Sequence, residues 1–76
     1  MNHERLWRTA IHRQAAEAEE LKARHAGELL ALLDEEPDTA ARETRIKHWR
    51  RVAVVADARA VRAREMQREA MVDDAD

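Results

Sequence analysis

The sequence contains no cysteine, serine, tyrosine or phenylalanine, and it has only one glycine and one proline among 76 residues. Without cysteine, neither disulfides nor thiolate metal sites can stabilise a chain this small. Of the residues that commonly act as hydroxyl or thiol nucleophiles only threonine remains, and a single glycine excludes a glycine-rich phosphate loop. We therefore predict that the protein is not an enzyme and binds no cofactor.

Long apolar runs are also missing. No run approaches the ~20 residues that span a bilayer, and the first residues lack the apolar core of a signal peptide. We expect a cytoplasmic protein that makes no membrane contact. Arginine outnumbers lysine by 12 to 2, a bias typical of GC-rich bacterial and phage genomes, so we expect a small bacterial or phage protein.

Alanine, arginine, glutamate and leucine dominate the composition, which is typical of long amphipathic helices and leaves no candidate strand. The only segment that interrupts the helical pattern is 34–39, which contains Pro37. The pattern predicts an all-α fold, an antiparallel two-helix hairpin with helices over about 3–33 and 39–71 joined by a turn at 34–39. This single domain covers 1–72, and the acidic residues 73–76 form a frayed tail.

The second predicted helix carries apolar side chains on two opposite sides between Trp49 and Ala63. One neighbouring helix covers only one side, so the other side predicts self-association, with two hairpins forming a homodimeric four-helix bundle. The leucine-rich end of the first helix is also more apolar than one partner covers. The predicted self-association residues are Val54, Ala58, Val61, Leu30 and Leu33.

The first predicted helix has residues from Trp7 to Leu32 that recur in alternating steps of four and three, which is typical of a coiled-coil seam. Three seam positions are polar, namely Gln14, His25 and Glu28, and we interpret them as residues that either lie at the edge of the seam or set its register. The predicted hairpin core comprises Trp7, Ile11, Leu21, Leu29, Leu32, Trp49, Val52 and Ala56.

Residues 42–68 carry nine basic and three acidic side chains, which makes this segment basic within a chain of net charge -2. The candidate contact residues for an acidic partner are Arg45, Lys47, Arg50 and Arg51. The same residues could follow a phosphate backbone, with Trp49 stacking on a base. At helical spacing with Val52 and Ala56, however, Trp49 is more typical of core.

A metal site is a further alternative, because His25, Glu28 and His48 would converge if the register brought the two histidines together. The simpler interpretation is that they are polar residues at the seam edge, and we predict no metal site. The sequence thus predicts a small non-enzymatic, self-associating helical protein that binds a protein partner as an adaptor or regulator. The alternative is a nucleic-acid-binding accessory protein that uses the basic face of helix two.

Overall fold

The computed structural model describes residues 3–72, which form two helices, α1 (His3–Leu33) and α2 (Ala40–Val72). The helices pack side by side along their length and give a rod of 58 × 13 × 12 Å. No strand occurs within residues 3–72. The predicted all-helical architecture is therefore confirmed, whereas the predicted tail at 73–76 lies outside the described residues.

The connection between the helices ends at Thr39, which caps α2. The Thr39 hydroxyl oxygen accepts a hydrogen bond of 3.1 Å from the backbone N–H of Arg42, and the Thr39 carbonyl accepts the first helical bond from Glu43. This is the usual geometry of a threonine N-cap. Consequently α2 begins at Ala40, one residue after the predicted start.

An arginine at the start of each helix binds the last turn of the other helix. Arg42 Nε donates to the Leu33 carbonyl at 2.7 Å, and its guanidinium also lies 3.4 Å from Asp34. At the other end of the rod, Arg5 Nη1 donates to the Met71 carbonyl at 3.4 Å. Helix C-termini carry unpaired carbonyls and negative partial charge, so a cation is favourable at each end. These two contacts align the helices antiparallel.

The seam between the helices follows a regular alternation of steps of four and three residues on both helices, with every position buried or half-buried. Alanine occupies most of its central positions, which allows close approach of the two backbones. The α1 seam consists of Arg5, Thr9, His12, Ala16, Glu19, Ala23, Ala26, Leu30 and Leu33. The α2 seam consists of Arg42, Ile46, Trp49, Ala53, Ala56, Ala60, Ala63, Gln67 and Ala70.

The prediction of which face of α1 enters the hairpin core was wrong. Trp7, Ile11, Leu21 and Leu32 are exposed, because they lie two positions out of phase with the seam, or roughly 200° around the helix. The short connection and the Arg42 contact instead hold the face in line with Leu33 against α2. These four large apolar residues therefore lie outside the seam with α2.

The other predicted core residues lie at or beside the seam. Ala56 is buried, and Leu29, Trp49 and Val52 are half-buried. Leu33 is also buried and Leu30 half-buried, so these two leucines contact α2 within the hairpin. The predicted assignment of Leu33 to self-association is therefore corrected, because its side chain is already covered. For Leu30, which is only half-buried, that assignment stays a prediction.

Within residues 3–72 the buried apolar core is small, and no large side chain is completely buried. Five of its six members are alanines, each of which removes little apolar surface from water. The buried residues are Ala16, Ala26, Leu33, Ala56, Ala60 and Ala70. The hairpin core is therefore thin for a folded domain.

The alanine seam predicts that added volume destabilises the hairpin. Ala16 is 0% exposed, so Ala16→Leu should lower the free energy of unfolding by ~1 to 3 kcal/mol through overpacking. Ala15→Leu is the matched control, since Ala15 is the exposed neighbour on the same helix. Chemical denaturation followed by circular dichroism measures both. Equal stability of the two variants would contradict the seam.

Candidate interaction surface

A row of exposed residues runs along α1 outside the seam, and its middle members Ala18, Leu21 and His25 border a groove between the helices. We call it the outer stripe, and it carries four large apolar side chains with exposed fractions of 68% for Trp7, 44% for Ile11, 43% for Leu21 and 61% for Leu32. All of its members are exposed, and they retain the spacing of a coiled-coil seam. The outer stripe consists of Trp7, Ile11, Gln14, Ala18, Leu21, His25, Glu28 and Leu32.

A second exposed apolar row lies on α2, and we call it the valine stripe. It comprises Val54, Ala58 and Val61, and the two valines are 68% and 59% exposed. These residues were predicted to mediate self-association, and the hairpin leaves them accessible. In the same alternating steps the row continues to Arg51 at one end, and to Glu65 and then Arg68 at the other. The valine stripe is therefore short and flanked by charged residues at both ends.

A groove of about 610 Å³ lies between the helices on one side of the hairpin. Leu21, Leu29, Trp49 and Val52 provide apolar walls, while Lys22, His25 and His48 bring polar groups to it. The sequence did not define this groove, because its walls come from both helices and depend on how α1 is rotated.

The two histidines considered as metal ligands, His25 and His48, both line this groove. The His48 ring packs edge-on against Trp49, with ring centroids 5.0 Å apart and planes inclined by 77°. Glu28 is not among the lining residues. Over residues 3–72 no group of three or more histidine or acidic side chains is arranged to hold a metal ion.

The basic residues predicted to contact an acidic partner or nucleic acid are all exposed but do not form one cluster. Lys47, Arg50 and Arg51 share one side of α2, as the 100° advance per residue requires. Arg45 points elsewhere and lies 3.4 Å from Glu36. Only three of the four predicted contact residues are therefore available together.

The side of the hairpin opposite the groove carries an ion pair between the helices that the sequence did not reveal. Arg64 donates two hydrogen bonds to the Glu20 carboxylate, at 2.9 Å from Nε and 2.7 Å from Nη2, and a third to Gln67 at 2.8 Å. The hydrogen bond from Arg64, helped by the positive charges of Arg64 and Arg24, holds the pKa of Glu20 below its usual value. This bidentate pair fixes the side-to-side position of the helices.

Comparison with protein-family models, with curated proteins and with solved structures finds no match to the chain. Neither of the two helices described is both long enough and apolar enough to cross a membrane. The arguments about function accordingly rest on the exposed surfaces of the hairpin.

Replacing Arg64 should change the titration of Glu20. In Arg64→Gln the pKa of Glu20 should rise toward its usual value of 4.5, because the charged donor is lost. The native pKa lies below the unfolded value, so the pair stabilises the hairpin above about pH 4.5 and loses that effect as pH falls through the native pKa. Carboxyl-carbon NMR titration measures the change.

The control for this titration is Arg62→Gln, since Arg62 lies 3.2 Å from Glu65 and does not contact Glu20. It should leave the pKa of Glu20 unchanged. The interhelical pair would be disproved if Arg64→Gln left this pKa where it is in the native protein.

Proposed function

We propose that the chain is a non-enzymatic helical hairpin that self-associates and acts by binding a protein partner. The observation that supports this proposal is that small apolar side chains lie between the helices while large ones lie on the outside. Alanines fill the contact between the helices, while Trp7, Leu32, Val54 and Val61 are each more than half exposed. Exposed apolar side chains at helical spacing are typical of surfaces that pack against further helices.

The exposed surface is large enough for association. A compact folded monomer of 8.8 kDa is expected to expose about 4,800 Å², whereas this elongated chain exposes 5951 Å². A stable interface needs ~800 Å² from each partner. A second hairpin could therefore cover a full interface, and two hairpins together would give a four-helix bundle.

The valine stripe is the surface that we assign to the protein partner. Its apolar centre is flanked by Arg51 and Lys47 at one end, and at the other by Arg68 and by Glu65, whose carboxylate lies 3.2 Å from Arg62. A partner helix with an apolar row and acidic flanks would match both features. A second copy paired antiparallel at this stripe would place Arg51 opposite Arg68, so the predicted self-association at this stripe becomes the alternative.

Self-association predicts that the purified chain is not a monomer. Light scattering with size-exclusion chromatography at micromolar concentration should give at least twice the chain mass of 8.8 kDa. Helicity should fall on dilution, because a thin core leaves the separate hairpin marginally stable. A monomer that melts in a sharp transition at the same concentration would refute this part of the proposal.

Partner binding predicts selective capture. The wild-type chain used as bait in its native host should retain a protein that the double variant Val54→Glu, Val61→Glu does not retain, because two carboxylates would have to be buried without partners. Nuclease treatment should leave this capture unchanged. Arg59→Glu, an exposed change outside the stripe, serves as the control bait.

The nucleic-acid alternative has a different signature. If the chain used Lys47, Arg50 and Arg51 on a phosphate backbone, the captured material would be nuclease-sensitive, and affinity for DNA or RNA would fall steeply between 50 and 200 mM salt, by ~10-fold or more. That result would replace the protein partner with a nucleic acid. Assembly held by apolar burial is far less salt-dependent.

A further inference from the structure

We propose that the outer stripe of α1 is the self-association surface, and that two copies pair through it with their α1 helices antiparallel. This inference deepens the proposed function, since it rests on self-association and specifies the surface. The stripe is exposed along its whole length in the hairpin, and it keeps coiled-coil spacing over eight positions from Trp7 to Leu32. It is the longest apolar row that the hairpin leaves uncovered.

The order of side chains in the outer stripe is self-complementary. Its alternating steps are the same in both directions, so a two-fold axis between Ala18 and Leu21 brings every member opposite another member. At the centre Ala18 faces Leu21 of the second copy, which pairs a small with a large side chain. At each end Trp7 faces Leu32 of the second copy, so large apolar groups close the interface on both sides.

The polar members of the outer stripe also find suitable neighbours in this arrangement. Gln14 faces His25 of the second copy, and an amide and an imidazole can share a hydrogen bond. Ile11 faces Glu28 of the second copy near the exposed end of the interface, where the carboxylate can reach water while its methylene groups cover the isoleucine. None of these pairs places like charges together.

Charges beside the stripe favour the same arrangement. Glu17 and Arg24 are both exposed and lie along one edge of the outer stripe, seven residues apart. The two-fold axis brings Glu17 of each copy beside Arg24 of the other, with an axial offset of ~3 Å that these long side chains can bridge. The interface therefore gains two symmetric ion pairs.

A parallel arrangement of the same stripes is less favourable. Each residue would then face itself, so that Glu28 would meet Glu28 and His25 would meet His25 of the second copy. Like charges in register are destabilising. The antiparallel arrangement avoids both contacts.

The valine stripe is less suited than the outer stripe to antiparallel pairing between two identical chains. Its row continues with the same alternating steps from Lys47 to Val72, so it can be paired with itself about an axis between Ala58 and Val61. On both sides of the axis that pairing places Arg51 opposite Arg68 of the second copy and Val54 opposite the carboxylate of Glu65. The charge pattern therefore selects the outer stripe for pairing between identical chains.

Two single charge reversals test the ion pairs. Glu17→Arg leaves arginine at both edge positions, and Arg24→Glu leaves glutamate at both. Each variant alone should therefore form its dimer about tenfold or more weakly than wild type, because two attractive contacts become repulsive. Analytical ultracentrifugation over a concentration series at low salt measures the dissociation constants.

Mixing the two variants provides the decisive readout. In a mixed dimer the introduced arginine of one copy meets the introduced glutamate of the other, and the remaining native Glu17 meets the remaining native Arg24. An equimolar mixture should therefore recover wild-type affinity as a heterodimer that native mass spectrometry identifies. Recovery on mixing cannot come from a variant that has merely failed to fold.

The matched control for mixing uses two exposed residues of α2 outside the stripe. Arg59→Glu mixed with Glu69→Arg should give no preference for heterodimers, since neither residue lies at the proposed interface. Circular dichroism of every variant, alone and mixed, follows helicity in parallel.

The outcomes separate this inference from the proposed function. A wild-type chain that stays monomeric overturns both the self-association and this interface. A wild-type oligomer that is insensitive to both charge reversals, or variants that do not recover on mixing, overturns only the antiparallel α1 interface. Val54→Glu with Val61→Glu should leave the dimer intact, and dissociation of that variant would assign self-association to the valine stripe instead.

Discussion

The alanine seam between α1 and α2 is the constraint on which the rest of the structure depends. Alanine allows two backbones to come close, but its single methyl group removes little apolar surface from water. A seam of Ala16, Ala26, Ala56 and Ala60 therefore defines a narrow contact with a thin core. The larger apolar residues are spaced so that they fall on other faces of the helices. The same spacing therefore gives both the close packing of alanines inside the hairpin and the exposed apolar rows outside it.

Polar contacts at the ends and side of the rod provide what the thin core does not, namely a fixed register. Arg42 binds the last carbonyl of α1, Arg5 binds a carbonyl of the last turn of α2, and Glu20 binds Arg64 between them. Methyl groups alone would permit sliding by a turn with little change in buried area. Directional hydrogen bonds from guanidinium groups do not, since each requires one acceptor at one position.

The sequence was sufficient to predict the helices, the turn and the α2 face that contacts α1, because Pro37 interrupts the helical pattern and the face with Trp49 and Ala56 carries more apolar residues than the valine stripe. It was insufficient for α1, which carries two rows with the same spacing. Periodicity defines the angle between rows but not which row faces a neighbour. Residue size favoured the row with Trp7, whereas the small residues of α2 and the position of Arg42 select the row with Ala16. Ion pairs such as Glu20 with Arg64 depend on this rotation and on the register, so residue spacing within one helix could not reveal them.

The two rows of α1 are suited to two different packing contacts. A helix with two coiled-coil rows on opposite sides can pack against two neighbours at once, and here the row with small residues contacts α2 within the chain. We propose that the row with large residues makes the intermolecular contact, in which the greater apolar area would stabilise an association that no connecting turn assists. If the intramolecular contact used the large residues, the exposed row would be mostly small, and association would lose most of its driving force. In this proposal folding and assembly are linked, because the members of the outer stripe form one continuous row only when α1 is helical.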